Sequence, residues 1–399
     1  AWLFAAALLG HLRLAADRPD VANLTEFYAW LSFGGALGGA TVALLAPVVF
    51  DRVWEYPLAI VAAVALAAPM PRVVARQLPA KLAVLAVVAA LMGFGAWLRA
   101  DGQLRSVAAV LGLAAALTYL ATRRPKLIAA VLAANLAVII ALEPTETVLR
   151  ERSFFGTYEV REHSDGRVEL VSGTTVHGQQ LAENPGQPSS YYHPLGPLGD
   201  VFLTRTLEPR TIGVVGLGAG EIAAYGQPGD AITFFEIDPV VADIALDTRY
   251  FTHLENSAAD IEIEIGDGRI LLEESTETFD VLVIDAFSSD AIPIHLLTVE
   301  AVSAYLDRID DGVLLMHISN RYFDLSPVLG RVGEALGVEA HYFAHSPDRS
   351  EYESGARASQ WMAFTTGSAV ELTDDWIPVE AEGRLWTDDY SDILSTLDL

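Results

Sequence analysis

The chain has 399 residues, 52 of them acidic and 25 basic for a net charge of −27, is 52% hydrophobic and contains no cysteine. Without Cys there is no disulfide, no thiolate nucleophile and no Cys-ligated zinc site. A surface this negative also excludes a nucleic-acid partner, which needs cations against its phosphates.

The charge is unevenly divided. Residues 1–144 hold 7 acidic and 11 basic side chains, whereas 145–399 hold 45 and 14, so two environments are expected rather than one mixed surface. Lys81 and Lys126 are the only lysines. Dense carboxylates with so little lysine point to a halophile, where concentrated salt hydrates and screens them; a coding bias that replaces Lys by Arg is the alternative.

Residues 1–12 are apolar, too short to span a bilayer and without the cationic start of a signal peptide. They read as the tail of a truncated first helix. Uncharged apolar runs follow at 27–50, 56–71, 82–98, 106–122 and 127–142. Their lengths lie near or just below the roughly 17–25 residues that cross a bilayer core. Arg72, Arg76, Lys81, Arg99, Arg105, Arg123, Arg124 and Lys126 fall between them, where long side chains reach the interface. None of the runs has the polar face that a soluble amphipathic helix needs.

Residues 1–144 are therefore expected to form a multi-pass α-helical membrane region of about six helices, with the lipid bilayer as partner. Gly34, Gly35, Gly38 and Gly39 would give one helix a small-residue packing face. No charge lies in the middle of a span, so nothing marks an ion route. The loop cations, counted back from residue 145, place the following domain outside. A nucleoside made in the cytosol argues for the cytoplasmic side, and one missed segment would reverse the count; the cytoplasmic placement is the one expected.

Beyond the membrane region, 156–160, 167–172 and 174–179 are rich in Tyr, Val and Thr and are separated by Ser164-Asp165-Gly166 and Ser172-Gly173. A β-hairpin subdomain over 145–205 follows. From 206 to 399, apolar runs at 212–215, 232–235, 261–265, 281–284, 313–318, 340–343 and 361–365 alternate with helical segments. That alternation predicts an α/β Rossmann-like domain with a mostly parallel sheet covered on both faces.

The first of these strands runs into Gly216-Leu217-Gly218-Ala219-Gly220-Glu221, with helix expected after it. Glycines there permit a tight turn and close approach of a ligand. Glu236 ends the second strand, where a carboxylate can hold a ribose diol. A dinucleotide would want glycine at 221 and a pyrophosphate on the helix N-terminus; Glu221 would repel that anion but not a cationic sulfonium nucleoside. Asp267-Gly268 follows the third strand, where the acid can accept an adenine amino group or simply cap a helix. Asp285 ends the fourth strand, with no helix directly after it to cap, and Asp290 follows, itself a further cap candidate. Gly216–Gly220, Glu236, Asp267 and Asp285 should converge on one crevice at the carboxyl ends of the strands. His193 and His295 are additional base candidates, and either is equally well read as a structural histidine. No metal is implied.

Over residues 150–365 the chain resembles the spermidine synthase family of polyamine aminopropyltransferases. Leu24-Thr25-Glu26-Phe27-Tyr28, Glu55-Tyr56-Pro57-Leu58 and Trp386-Thr387-Asp388-Asp389-Tyr390-Ser391 are similar to its membrane-fused branch. The resemblance implies a class I S-adenosylmethionine-dependent transferase fold. It implies Gly216, Gly218 and Gly220 as the glycine loop, Glu236 as the ribose acid and Asp267-Gly268 as the adenine side. Asp285 would then deprotonate the attacking amine, with Asp290 as second acid. Tyr192 and His193 would line the amine pocket and Gln179 the co-substrate side; Glu221 would join the acids of a cation-friendly site.

Two departures stand out. Ala219 replaces the aspartate expected in the glycine loop, and Ala286-Phe287 stretch the family's Asp-Ser-Ser-Asp run. The function implied is aminopropyl transfer from decarboxylated S-adenosylmethionine to a small amine such as putrescine, with pairing as a homodimer. A methyltransferase using intact S-adenosylmethionine, and a catalytically silent nucleoside sensor regulating the membrane half, are the alternatives.

Overall fold

The computed structural model describes residues 2–66, 129, 130, 133 and 146–399, apart from 205–208, 288–291, 321, 368, 369, 398 and 399. The chain divides into two compact units, Ala1–Thr145 and Glu146–Leu399.

In the first unit, helices span Trp2–Ala16, Leu24–Ala40 and Glu55–Leu66. A π turn at Thr41–Leu45 and a last turn at Ala46–Val49 continue the second of them. Among the described residues, the run Val21–Val49 is long and apolar enough to cross a membrane. Trp30, Phe33, Leu37, Leu44 and Val48 are exposed along it. A Cβ added at Gly34, Gly35, Gly38 or Gly39 would meet nothing within 4 Å, so the expected small-residue face has no packing partner among the described residues. The expected spans at 82–98 and 106–122, nearly all of 127–142 and the end of 56–71 lie outside the described residues.

The second unit begins with four antiparallel strands in chain order, β1 (Thr147–Arg152), β2 (Thr157–Glu162), β3 (Val168–Ser172) and β4 (Thr175–Gln180). The expected hairpin is thus a four-stranded meander. Its first strand was hidden by charge: Arg150, Glu151 and Arg152 do not look like a strand. Arg150 is held there by Glu159 of β2, 3.3 Å across the pair, the cross-strand contact that lets a charged edge strand form.

The remaining strands are β5 (Thr211–Val215), β6 (Ala231–Glu236), β7 (Asp260–Ile265), β8 (Phe279–Ile284), β9 (Ile309–His317), β10 (Ala340–His345), β11 (Ser359–Thr366) and β12 (Ile377–Pro378). They form one sheet ordered β12-β10-β11-β9-β8-β5-β6-β7. Strands β5 to β9 pair in parallel, as their apolar runs require. β11 is inserted antiparallel between β9 and β10.

Alternate residues feed the two faces. Val214, Phe234, Val283 and Leu315 pack into one core and Val215, Phe235, Leu282 and Leu314 into the other. β7 is one edge, and its Glu262 and Glu264 disfavour further pairing there. The β7-β6-β5-β8-β9 order is that of a doubly wound, Rossmann-like fold, which gathers the carboxyl ends of these strands beside one another.

Candidate functional site

At those strand ends lies a cavity of about 770 Å³. Gly216 and Gly218 form its floor, with φ of 99° and 55°, conformations that favour glycine. A Cβ at Gly216 would lie 2.4 Å from the Asp285 carbonyl oxygen, so adjacent strand ends can approach only because it has none. The loop does not lead into an α-helix: Gly220 turns left-handed and a short 3₁₀ segment, Glu221–Tyr225, follows before Gly226.

Glu236 faces the cavity from the end of β6. Its Oε2 accepts the Leu217 N–H at 3.0 Å and its Oε1 the Asp238 N–H at 2.9 Å, which fixes the carboxyl over the glycine turn. Burial pushes its pKa above the ordinary range, against these two hydrogen bonds. Asp267 and Gly268 line the neighbouring wall. Asp267 caps the helix Gly268–Glu274 through the Arg269 and Ile270 N–H groups, and its Oδ2 lies 4.0 Å from His295 Nε2. The capping reading and the wall position therefore hold together.

Asp285 closes the other end. Tyr192 donates its hydroxyl to Oδ2 at 2.6 Å, and His317 Nδ1 lies 2.6 Å from Oδ1. Burial and then the adjacent Asp285 charge push the Tyr192 phenol well above its usual range, so it remains a donor. Tyr191 and Phe287, whose rings lie 5.5 and 4.8 Å from the His317 ring, form an aromatic wall there, with Ser319 and Asn320 beyond. An aromatic wall beside a carboxylate suits a cationic alkylamine.

Other expected contacts are placed elsewhere. Gly220 packs on Leu254, away from the cavity. Gln179 donates its side-chain amide to the Gly355 carbonyl at 3.0 Å and is turned into the core. His193 is buried, accepting from Leu195 N–H at Nδ1 and meeting Ser354 Oγ at Nε2; burial, then His345, lowers its pKa. Both of its nitrogens have neighbours outside the cavity, so of the Tyr-His pair the cavity is lined by Tyr192 and not by His193.

Glu221 is fully buried behind the glycine turn. Oε2 accepts the Gln179 N–H at 3.2 Å, and Oε1 accepts the Ser189 N–H at 3.1 Å and hydroxyl at 2.8 Å. Burial, with Asp285 adding to it, pushes its pKa up to about 8 although these hydrogen bonds pull the other way. It clamps the turn that carries Tyr191 and Tyr192. That turn includes Ser190 at φ 53°, the one non-glycine residue with positive φ among the described residues. Asp290 lies outside the described residues.

His317 and Ser319 were not singled out from the sequence. The available signal was a histidine closing the apolar run 313–316 at the carboxyl tip of β9, beside the strand that Asp285 follows. The closing Trp386-Thr387-Asp388 segment is placed next to the Asp267 helix. Trp386 is buried, and Arg269 holds Asp388 through two hydrogen bonds of 2.8 and 2.7 Å.

No family model matches the chain. In sequence it is similar to the polyamine aminopropyltransferase of Vibrio vulnificus, 29% identical over 165 residues, covering 39% of this chain and 53% of that protein. It is also similar to a probable polyamine aminopropyl transferase of Bifidobacterium longum, 29% identical over 126 residues, covering 31% of this chain and 26% of that protein. The chain thus spans about half the length or less of these curated relatives. A probable spermidine synthase from Corynebacterium glutamicum aligns with a TM-score of 0.43 at 17% identity, over 56% of this chain and 81% of that one. Spermidine synthase from Thermotoga maritima aligns with a TM-score of 0.40 at 15% identity, over 64% and 84%. By sequence, part of this chain is similar to polyamine aminopropyltransferases.

Proposed function

We propose that residues 146–399 are an aminopropyltransferase of spermidine synthase type. It would move an aminopropyl group from decarboxylated S-adenosylmethionine to a small amine such as putrescine. The observation that carries the reading is Asp285, a carboxylate held at the cavity end by Tyr192 and walled by aromatic rings, in one crevice with the glycine turn and Glu236. Similarity to polyamine aminopropyltransferases supports it.

The residues fit such a co-substrate. Gly216 and Gly218 remove the side chains that would block a nucleoside. Glu236 would accept ribose hydroxyls and Asp267 would face the adenine. When bound, the sulfonium supplies an electrophilic carbon and a neutral thioether leaving group. The chain's own task is to align an amine with that carbon and remove its proton. Asp285 would draw the acceptor ammonium in and take one N–H proton, freeing the lone pair that attacks the carbon as its bond to sulfur breaks and the thioether leaves; Asp285 would then release the proton to solvent. The aromatic rings would hold the alkyl part and exclude water.

The membrane setting belongs to the same proposal: 1–144 as a multi-pass anchor, with 146–399 on the cytoplasmic face. Protease accessibility of the second unit in sealed vesicles of known orientation checks that placement.

The test is to incubate the full chain with putrescine and either decarboxylated or intact S-adenosylmethionine. Methylthioadenosine formed from the decarboxylated compound alone is the expected result. S-adenosylhomocysteine from the intact compound would replace the reading by methyl transfer. Nucleoside binding with neither product would replace it by a sensor.

A further inference from the structure

His317 ends β9 with its side chain almost fully buried. Its ring stacks on Trp361, centroids 4.4 Å apart at 6°, and Phe287 meets it edge-on at 4.8 Å. The stack follows from register, since His317 and Trp361 are opposed in the β9–β11 pair. Antiparallel insertion of β11 thus builds a flat surface that leaves the imidazole one plane to occupy.

Hydrogen bonds then fix its tautomer. Ser319 Oγ accepts the Gln360 N–H at 2.8 Å and lies 2.7 Å from His317 Nε2. In the neutral ring the nitrogen that faces a carboxylate is the donor, so Nε2 is left to accept the Ser319 proton. The ring proton then sits on Nδ1, where a carboxylate oxygen 2.6 Å away requires one. The order of donation is Gln360 N–H to Ser319, Ser319 to His317 and His317 to Asp285.

Asp285 is therefore held from both sides, Tyr192 on one oxygen and His317 on the other. With one lone pair of each oxygen engaged, rotation about its χ2 is blocked and the carboxylate keeps one orientation toward the cavity. We propose that His317, set by Ser319 and the Trp361 face, is the positioning residue for Asp285, fixing the direction from which the acceptor amine loses its proton. The catalytic part of this rests on the aminopropyltransferase reading; the geometric part does not.

The experiment compares the full chain with its His317→Leu, His317→Asn and Ser319→Ala variants. Misplacing a reacting group by about 1 Å costs on the order of 100-fold in rate. His317→Leu should therefore lower kcat roughly 30- to 100-fold, with KM for the adenosyl co-substrate changed less than about threefold. His317→Asn, whose Nδ2–H stands where Nδ1–H stood, should recover most of the loss, and Ser319→Ala should fall between. A His317→Leu enzyme as fast as wild type, or an Asn variant no better than Leu, overturns the proposal.

A second measurement is independent of turnover. In ¹⁵N-histidine-labelled wild type, the His317 Nδ1 proton should resonate far downfield and move on Asp285→Asn. An ordinary imidazole signal, indifferent to Asp285→Asn, overturns the positioning role whether or not product forms. A downfield signal in a chain that makes no methylthioadenosine sustains the Asp285–His317 pair and removes only the aminopropyl reading.

Discussion

Ala219 and Gly178 are packed backbone to methyl: a Cβ added at Gly178 would lie 2.5 Å from the Ala219 Cβ. β4 therefore seals the back of the glycine turn, and Ala219 is only 1% exposed. The position at which the resembling family carries an acid has no outlet to the cavity here.

Ala219→Asp should accordingly fail to create a new amine-binding acid. A carboxylate forced against β4 is buried without a partner, and the variant should lose several kcal/mol of stability. Thermal unfolding measures it. An Ala219→Asp chain with unchanged Tm and faster aminopropyl transfer would show that the loop opens in solution.

Asp285→Asn removes the proposed base but keeps the shape. Turnover should fall about 10²- to 10⁴-fold, the usual range for losing a positioned base, while affinity for the adenosyl co-substrate stays within about tenfold. Tyr192→Phe removes one of the two hydrogen bonds to Asp285 and should reduce kcat less. Single-turnover kinetics with separately measured binding distinguish the two effects. Normal turnover in Asp285→Asn would remove Asp285 from the mechanism.

Glu221 links stability to pH. Its folded pKa, about 8, lies above the ordinary 4.5, so the folded state holds a proton that the unfolded state has released between these values. Its relative stabilisation is complete below the lower value and is lost as pH rises to the upper one. Each pKa unit is worth about 1.4 kcal/mol, so the loss reaches a few kcal/mol. Glu221→Gln, which cannot ionise, should flatten this part of the Tm–pH curve. The check is the wild-type minus variant Tm difference across that interval; a difference independent of pH would contradict the assignment.

Asp388 has the opposite sign. Arg269 holds its carboxylate down at about 2, so its contribution is present above the ordinary carboxylate range and is lost as pH falls toward that value. Asp388→Asn should lower Tm near neutrality and make little difference in strong acid. The effect is modest because Asp388 is exposed, and salt should reduce it.

Most of the second unit's sheet was legible because strands buried on both faces must be apolar throughout, as at 212–215, 281–284 and 313–316. The glycine turn, Glu236, Asp267 and Asp285 were legible for a related reason: residues that break an apolar run at its carboxyl end fall at the mouth of a parallel sheet. β1 escaped notice because Arg150, Glu151 and Arg152 leave it without an apolar run. Glu221 was misread because a carboxylate after a glycine turn looks the same in sequence whether it faces a ligand or is buried on backbone N–H groups. Gln179 and His193 failed similarly, since a side chain's direction depends on the twist and register of the element that carries it.

Periodicity and composition alone determined two chemically distinct halves and the Rossmann-like alternation, because local burial leaves its pattern in consecutive residues. The tertiary structure alone decided which polar groups meet. Tyr192, Asp285 and His317 lie far apart along the chain, on a turn and at the ends of two strands. Their meeting depends on β8 and β9 lying parallel side by side and on the Glu221 clamp behind Tyr192. Those long-range pairings follow from the summed packing of the whole sheet, which no local window of sequence contains.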